Sequence, residues 1–217
     1  MIFQASNHMK KNVLVIDYGM GNITSVCNAL ALMDCNIIVS SDPADVLRAD
    51  GIILPGVGAF EEAVKNLRQL KLFDAIKDSV LNDKKPLFGI CLGMQLLADS
   101  SEERGFNEGL GIIPGKVKII PTKPNLPLPH VGWNDITIRI KEPLYNEIND
   151  GDCFYFVHSY YFDCNEKYIS STVDYGMPIT ATVQYKNIYG AQFHPEKSQS
   201  KGKAMLRNFV NSLKENA

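Results

Sequence analysis

Residues 86–95 read PLFGICLGMQ, in which an apolar run reaches Cys91 and a segment with helical character follows it. A short apolar run bounded by turn residues is typical of a buried strand. Gly89 and Gly93 flank the cysteine, and glycine lets the backbone bend sharply. A strand that turns at once into a helix is the repeating unit of parallel α/β sheets. The stretch therefore indicates an α/β fold.

The first half of the chain repeats this alternation of strand and helix. Asp42 and Pro43 open a short helix, with the aspartate as its N-terminal cap. Such alternation predicts parallel pairing in a sheet that is covered by helices on both faces. The predicted strands are 11–17, 36–40, 51–54 and 86–90, and the other predicted helices are 23–33, 59–67, 72–82 and 92–99.

The second half of the chain consists mainly of short strands joined by turns. The Pro-rich segment 121–130 predicts a surface loop, and the sequence shows no internal repeat, low-complexity tract or linker. We therefore expect one α/β domain over residues 10–217, with a central, mostly parallel or mixed sheet flanked by helices. The predicted strands are 117–120, 136–140, 152–157, 169–173, 179–184 and 188–193, and the last predicted helix is 203–214.

The composition is that of an ordinary globular protein and argues against several functions. Of 217 residues, 45% are hydrophobic and 21% charged, and 22 basic residues are interspersed with 24 acidic ones. The even mixing of charge argues against binding to nucleic acid or to an acidic membrane surface. No apolar run approaches the roughly 18 residues of a membrane span. The N-terminus also lacks a signal-peptide pattern, so we expect a cytoplasmic protein.

Five cysteines are present, an odd number without the spacing of a metal site or a disulfide framework. We interpret them as reduced thiols and predict no metal ion and no cofactor. Residues 1–8, MIFQASNH, show neither helical nor strand periodicity and precede a second methionine. We interpret them as a leader or tag ahead of a native start at Met9, and we exclude His8 from the functional argument.

Three glycine-containing turns follow predicted parallel strands: Gly19–Asn22, Pro55–Gly58 and Gly89–Gly93. Parallel sheets bind their ligands at the carboxyl ends of the strands. The three turns are expected to meet at that edge, which is therefore the predicted functional site.

The pattern G-x-C-x-G around Cys91 has the layout of a nucleophile elbow, with cysteine in place of serine. A thiol at the start of a helix gains from the helix dipole, which favours the reactive thiolate. Free cysteine is also among the most frequently buried residues. The pattern alone leaves catalysis and core packing open.

A nucleophilic cysteine needs a histidine to exchange protons and a third group to orient that histidine. The strongest candidate is His194, which ends a predicted strand and is followed by Pro195 and Glu196. On extended backbone, residues two apart point to the same side, so Glu196 can accept a hydrogen bond from the imidazole. His130 and His158 are better interpreted as residues that position backbone or pack beside a loop.

Attack on a carbonyl also requires N–H donors for the oxyanion. Leu92 follows the nucleophile, and its N–H is one natural donor. The turn that contains Gly56 and Val57 can supply a second, because glycines permit unusual peptide orientations. Without the cysteine and histidine, the same turn would be read only as a tight turn.

Taken together, these residues resemble the class-I (triad) glutamine amidotransferases, over essentially all of Lys10–Ala217. The elbow and the FHPE motif mark the superfamily. PGVGAF and HVGWN indicate the subfamily of glutaminase subunits of imidazole glycerol phosphate synthase. The motifs are DYGMGN (17–22), LPGVGAF (54–60), GICLGMQLL (89–97), HVGWN (130–134), YFVHSY (155–160) and FHPEKS (193–198).

The resemblance implies a flavodoxin-like fold and hydrolysis of L-glutamine, with Cys91 attacking the side-chain amide. His194 protonates the departing ammonia and then activates water, and Glu196 orients its imidazole. The resemblance also implies that the oxyanion turn flips before its N–H points inward. It assigns the substrate to Gln95, Glu103 and backbone near Ser159 and Tyr160, and the oxyanion to N–H groups of Val57 and Leu92, with Gly56 in the same turn.

Members of this subfamily pass ammonia to a (β/α)8-barrel cyclase subunit, which makes imidazole glycerol phosphate and AICAR in histidine biosynthesis. Free ammonia at neutral pH is mostly ammonium, a poor nucleophile, so a closed interface has a chemical purpose. By resemblance, the partner-facing residues are Asn22, Trp133, Tyr155 and Lys197. Burial in the core is the alternative for Trp133, the single tryptophan.

Three other functions remain open from the sequence. The same glutaminase could feed another acceptor, for instance in the amidation of a sugar, because the acceptor binds the partner. A non-catalytic regulatory module would keep the fold, although the complete Cys91, His194 and Glu196 set argues against it. A cysteine peptidase on a related scaffold is disfavoured by Gln95 and Glu103.

Overall fold

A mixed sheet of nine strands forms the centre of the described molecule, and a second sheet of four strands lies beside it. The computed structural model describes residues 10–121, 124, 126–141 and 143–213. The predicted leader 1–8 and part of the predicted loop 121–130 lie outside these residues.

The elements are named in chain order. The strands are β1 (Lys11–Ile16), β2 (Cys35–Ser40), β3 (Gly51–Gly56), β4 (Leu87–Cys91), β5 (Ser100–Ser101), β6 (Asn107–Glu108), β7 (Gly115–Ile119), β8 (His130–Ile138), β9 (Cys153–His158), β10 (Tyr160–Cys164), β11 (Ile169–Asp174), β12 (Pro178–Tyr185) and β13 (Ile188–Ala191). The helices are α1 (Ile23–Leu30), α2 (Pro43–Arg48), α3 (Phe60–Gln69), α4 (Leu72–Leu81), α5 (Leu92–Gln95) and α6 (Gln199–Ser212), and 3-10 turns lie at Glu166–Tyr168 and Pro195–Lys197.

The large sheet has a parallel half and an antiparallel half, which agrees with the predicted mixed sheet. Its order is β2-β1-β3-β4-β13-β12-β11-β8-β9, and the first five strands run parallel to one another. The remaining neighbours pair antiparallel. The small sheet, β10-β7-β5-β6, was not predicted, because β5 and β6 have only two residues each.

The core lies on both faces of the large sheet, and β1 shows how the sequence divides it. Leu14 and Ile16 pack on one face with α3 and α4, whereas Val13 and Val15 pack on the other with α1 and α6. This is the period of two that a strand requires. Each fully buried aliphatic side chain contributes roughly 1.5–3 kcal/mol to folding.

Several elements differ from the predictions at their ends: α1 ends at Leu30, α6 begins at Gln199, and two further differences affect the site. The helix predicted to reach residue 99 ends at Gln95, because the carbonyls of Leu96 and Ala98 accept tertiary hydrogen bonds from the N–H groups of Leu110 and Gly111. The strand predicted from residue 136 begins at His130, so HVGWN lies in β8 and pairs with β9. The predicted cap of α2 is confirmed, since the Asp42 carboxylate accepts from the Ala44 N–H at 2.9 Å.

The topology brings the predicted site together at one edge of the sheet. In the register of β3 with β4, Gly56 lies opposite Cys91. On the other side of β4, Ala191 lies opposite Ile90, and His194 follows three residues later. Among the described helices, none is long and apolar enough to span a membrane.

Candidate active site

Cys91 forms a strained turn between β4 and α5. Its φ of 54° and ψ of −107° lie in a region that non-glycine residues rarely occupy. The positive φ belongs to Cys91 and not to Gly89 or Gly93, so the bend is at the cysteine itself. Both glycines are needed for close packing instead. A Cβ on Gly93 would lie 1.7 Å from the Leu54 carbonyl oxygen.

His194 follows β13 and makes the predicted contact with Glu196. The distance from His194 Nδ1 to Glu196 Oε1 is 2.8 Å, and both side chains are almost completely buried. The prediction of extended backbone was wrong, because Pro195–Lys197 form a 3-10 turn that bends the carboxylate back to the ring. The Ser198 hydroxyl ties this turn to β9, since it donates to the His194 carbonyl and accepts from the Tyr155 N–H.

The electrostatics of His194 depend on its two neighbours. Burial lowers the pKa of His194, but interactions with Cys91 and Glu196 outweigh this effect and raise the pKa to about 9. Its Nε2 has no hydrogen-bond partner of regular geometry in the described part of the chain. Cys91 lines the same cavity as His194 and is one of the two groups that raise its pKa. We infer that Cys91 and Glu196 together favour the imidazolium.

A cavity of about 360 Å³ opens over Cys91, which is within the size range of small-molecule sites. Glu196 and Gly56 do not line it, and Glu196 acts through His194. The cavity brings together the predicted nucleophile, base, oxyanion, substrate and partner residues Cys91, His194, Val57, Leu92, Gln95, Glu103, Ser159, Tyr160 and Lys197.

The two predicted oxyanion donors, the backbone N–H groups of Leu92 and Val57, differ in their hydrogen bonding. Leu92 is the first residue of α5, where a backbone N–H has no partner within the helix. The Val57 N–H donates to the Met20 carbonyl at 2.8 Å and is therefore not available to an oxyanion. The next residue, Gly58, has a φ of +104°, which a glycine adopts without strain.

Two predicted substrate residues also make structural contacts. Gln95 is buried, and its Nε2 donates to the Tyr160 carbonyl at 3.1 Å and to Gln192 Oε1 at 3.0 Å. Glu103 Oε2 accepts from the N–H of Phe60, the first residue of α3, at 2.8 Å. A carboxylate at that position stabilises the start of a helix.

Three of the predicted partner-facing residues form a surface cluster beside the cavity. The ring centroids of Trp133 and Tyr155 lie 6.0 Å apart, and Lys197 Nζ lies 6.0 Å from the Tyr155 ring. Trp133 is 46% exposed, so the alternative of burial in the core is wrong. Asn22 directly precedes α1, which packs against the turn that carries Lys197.

His130 and His158 are buried and hydrogen-bonded to each other, with 3.0 Å between Nδ1 of the first and Nε2 of the second. His158 bonds to the Tyr160 carbonyl at 2.8 Å, and His130 stacks on Phe156 and Tyr175. Burial lowers the pKa of His130 to about 4 and that of His158 to about 3. Both are therefore neutral at pH 7.

These two histidines are expected to make the fold sensitive to acid. Between about pH 6.5 and the lowered values, the unfolded chain binds protons that the folded state does not bind. The free energy of unfolding therefore falls as the pH is lowered through this window. Urea unfolding at about pH 7 and about pH 5 measures the decrease. The same decrease in a variant with both His130→Asn and His158→Asn would contradict this assignment.

The sequence patterns did not point to three groups near the nucleophile: Tyr18, Gln192 and Ser198. Tyr18 is buried, its hydroxyl is unpartnered among the described residues, and burial together with Cys91 raises its pKa. Gln192 Nε2 lies 3.7 Å from Cys91 Sγ. Tyr18 and Ser198 lie inside the motifs DYGMGN and FHPEKS, and Gln192 directly precedes the second, so their position in or next to a motif was the one available signal.

Comparison with known proteins identifies the family of this chain. A model of the class-I glutamine amidotransferases matches residues 14–213. The chain belongs to the class-I glutamine amidotransferases. Within this family it is 48% identical over 203 residues to imidazole glycerol phosphate synthase subunit HisH 2 of Vibrio vulnificus, covering 93% of this chain and 95% of the relative. It is 46% identical to subunit HisH of Streptococcus sanguinis, covering 94% and 98%.

Solved structures share the fold of this class-I glutamine amidotransferase at low sequence identity. A putative GMP synthase protein from Thermoplasma acidophilum has a TM-score of 0.70 and 18% identity, covering 94% of each chain. The structure of PurLQS from Thermotoga maritima contains a chain with a TM-score of 0.68 and 19% identity, covering 95% of this chain and all of that one. The predicted α/β architecture is thus confirmed.

Proposed function

We propose that this chain is the glutaminase subunit of imidazole glycerol phosphate synthase. It hydrolyses L-glutamine to glutamate and ammonia, and it passes the ammonia to a cyclase subunit that makes imidazole glycerol phosphate and AICAR. One observation supports the proposal above all. Cys91, on a strained elbow, shares a cavity with His194, whose imidazole is bonded to Glu196.

The reaction proceeds in two steps at Cys91. The thiolate attacks the side-chain carbonyl carbon of glutamine and forms a carbon–sulfur bond. The His194 imidazolium gives its Nε2 proton to the amide nitrogen, the carbon–nitrogen bond breaks, and ammonia leaves. His194 then takes a proton from water, which attacks the thioester and releases glutamate and the thiolate. Glu196 holds the ring through Nδ1 in both steps.

The oxyanion is bound by two backbone N–H groups in the active state. Leu92 supplies one at the start of α5. Val57 supplies the other after the Gly56–Val57 peptide turns over and breaks its bond to the Met20 carbonyl. In the chain alone one donor is thus already bonded elsewhere, and we expect the partner to be needed for full activity for this reason.

The substrate occupies the cavity next to the sulfur. Its amino-acid end is held by Gln95, Glu103 and backbone near Ser159 and Tyr160, all of which line the space. The exposed cluster of Trp133, Tyr155 and Lys197 contacts the partner, which we propose to be a (β/α)8-barrel. Asn22 completes that face.

The names of the relatives favour this acceptor over a sugar-amidating one. A closed passage to the partner keeps ammonia unprotonated, which the next reaction requires. We also propose a cytoplasmic location, since all five cysteines are free thiols.

A glutaminase assay on the chain alone, and then with both the cyclase partner and the acceptor ligand, tests the proposal. We expect weak glutamate release alone and an increase of about 10²–10³-fold in the complex, which is the effect of one oxyanion donor. An unrelated barrel protein of similar size is the control. Equal rates with the cyclase partner and with the control protein would refute the partner assignment.

A further inference from the structure

One backbone carbonyl fixes the direction of the hydrogen bonds in a chain of side chains that ends at the nucleophile. The carbonyl oxygen of Tyr160 can only accept, and it has two lone pairs. Gln95 Nε2 lies 3.1 Å from it and His158 Nδ1 lies 2.8 Å from it. Both of these atoms must therefore carry hydrogen. The side-chain orientations on either side follow from this single fact.

Towards the cysteine, this carbonyl fixes the orientation of two amides. The Gln95 atom that faces Tyr160 is nitrogen, and the same atom faces Gln192 at 3.0 Å. The Gln192 atom at that contact must then be its oxygen, because two amide nitrogens cannot bond to each other. The Gln192 nitrogen is consequently the atom that lies 3.7 Å from Cys91 Sγ. An N–H group is thereby aimed at the sulfur.

Towards the surface, the same carbonyl fixes the tautomers of two imidazoles. With Nδ1 of His158 protonated and the ring neutral, its Nε2 must accept, so His130 Nδ1 donates to it at 3.0 Å. His130 Nε2 must then accept from Asn134 Nδ2 at 2.7 Å. Each of these amides and imidazoles is hydrogen-bonded to a neighbour, so none of the side chains can rotate without breaking one of these bonds.

We propose that Gln192 is a catalytic residue of the glutaminase reaction, which donates its Nε2–H to the Cys91 sulfur and stabilises the thiolate. Gln192 is completely buried at the end of the strand that leads to His194. Its oxygen is held by Gln95, so the N–H reaches the sulfur already oriented. A donor to an ionised group is stronger than one to a neutral group, so the contact favours the thiolate over the thiol.

Other charged or titratable groups also surround Cys91 and contribute to the electrostatic field at its sulfur. His194 provides a positive charge, and Cys91 directly precedes the single turn of α5. Tyr18 and His158 are buried and neutral, and Glu103 and Lys197 line the same cavity. These groups are unchanged in a variant at position 192, so a change in thiolate formation reports on the amide.

The test measures the alkylation rate of Cys91 by iodoacetamide as a function of pH, with peptide mass spectrometry to separate the five cysteines. Gln192→Met keeps the length of the side chain and removes the donor. We expect the midpoint pH of Cys91 alkylation to rise by about one unit, a tenfold loss of thiolate at a given pH. Gln69→Met, at the exposed end of α3, is the matched control, and the exposed Cys153 is the internal one.

A second variant and a kinetic measurement complete the test. Gln192→Glu keeps the acceptor for Gln95 and replaces the amide donor by a carboxylate that repels the thiolate, so the midpoint is expected to rise further than in Gln192→Met, which alone reports on the loss of the donor. In the complex, both variants are expected to lose about tenfold in kcat with a change of less than about twofold in KM for glutamine. An unchanged midpoint in a folded variant overturns the proposal, because an amide that only fills space does not affect thiolate formation.

This inference rests on the proposed function for its catalytic meaning, but the two can fail separately. The alkylation measurement needs no glutamine and no partner. A wild-type chain that never hydrolyses glutamine would overturn the proposed function and leave the alkylation result intact. A normal glutaminase with an unchanged midpoint in both variants would overturn only the role of Gln192.

Discussion

Replacing Cys91 by alanine is expected to reduce glutamine hydrolysis in the complex by about 10⁴-fold or more. The thiolate is the atom that bonds to substrate, and removal of a nucleophile costs most of the catalytic advantage of a triad enzyme. The fold should survive, because the change removes one atom at a site that is already 7% exposed. Glutamate release with both the cyclase partner and the acceptor ligand present measures the loss, and thermal unfolding verifies the fold.

Cys153→Ala is the matched control, since this thiol is exposed on β9 and away from the cavity lining. It should leave the rate unchanged. Hydrolysis by Cys91→Ala at the wild-type rate would show that another group attacks the amide. The cysteine would then have the packing role that its burial alone would suggest.

The parallel half of the fold could be predicted because its signals are local. Apolar runs such as Val13–Ile16 and Ile52–Leu54 are long enough to identify buried strands, and Asp42 with Pro43 marks a helix start unambiguously. The convergence of three turns at one edge follows from parallel pairing alone. The elbow at Cys91 could therefore be placed at this edge from the sequence, whereas its meeting with His194 was expected only from the triad pattern, and the parallel pairing of β13 with β4 appears only in the structure.

The remainder depends on contacts between distant segments. The end of α5 is set by residues 109–113, which pair with the carbonyls that a longer helix would use internally. The bond from Val57 to the Met20 carbonyl also joins two turns that are far apart in sequence. Propensity and periodicity contain no information about such contacts, so the resting direction of the Val57 N–H could not be predicted.

Gln192 illustrates the same limit within the site. It lies two residues before His194 and inside a strand-like apolar segment, where a glutamine looks like a tolerated core residue. The orientation of its amide can be deduced only from the structure, in which Gln95 lies between Gln192 and the Tyr160 carbonyl. The sequence motif therefore identifies the triad, whereas the donor and acceptor roles in the surrounding hydrogen bonds can be assigned only from the structure.

Glu196→Gln is expected to lower kcat by about 10²–10⁴-fold with little change in KM for glutamine. The amide has nearly the same shape and its oxygen can still accept from His194 Nδ1, so the ring stays in place. The negative charge that stabilises the imidazolium is lost, and the corresponding change in a serine protease triad costs about 10⁴-fold. Because Glu196 contributes to the raised pKa of His194, about 9 in the wild type, that pKa is expected to fall in the variant.

An NMR titration of the His194 imidazole, together with the pH dependence of kcat, measures both effects in one variant. Glu166→Gln provides the control, since that carboxylate is exposed and lies on a 3-10 turn away from the cavity. A lower kcat with an unchanged His194 pKa would mean that Glu196 acts by orientation alone. Unchanged values of both quantities would exclude Glu196 from the triad, because a buried carboxylate 2.8 Å from a working base cannot be neutralised without effect on that base.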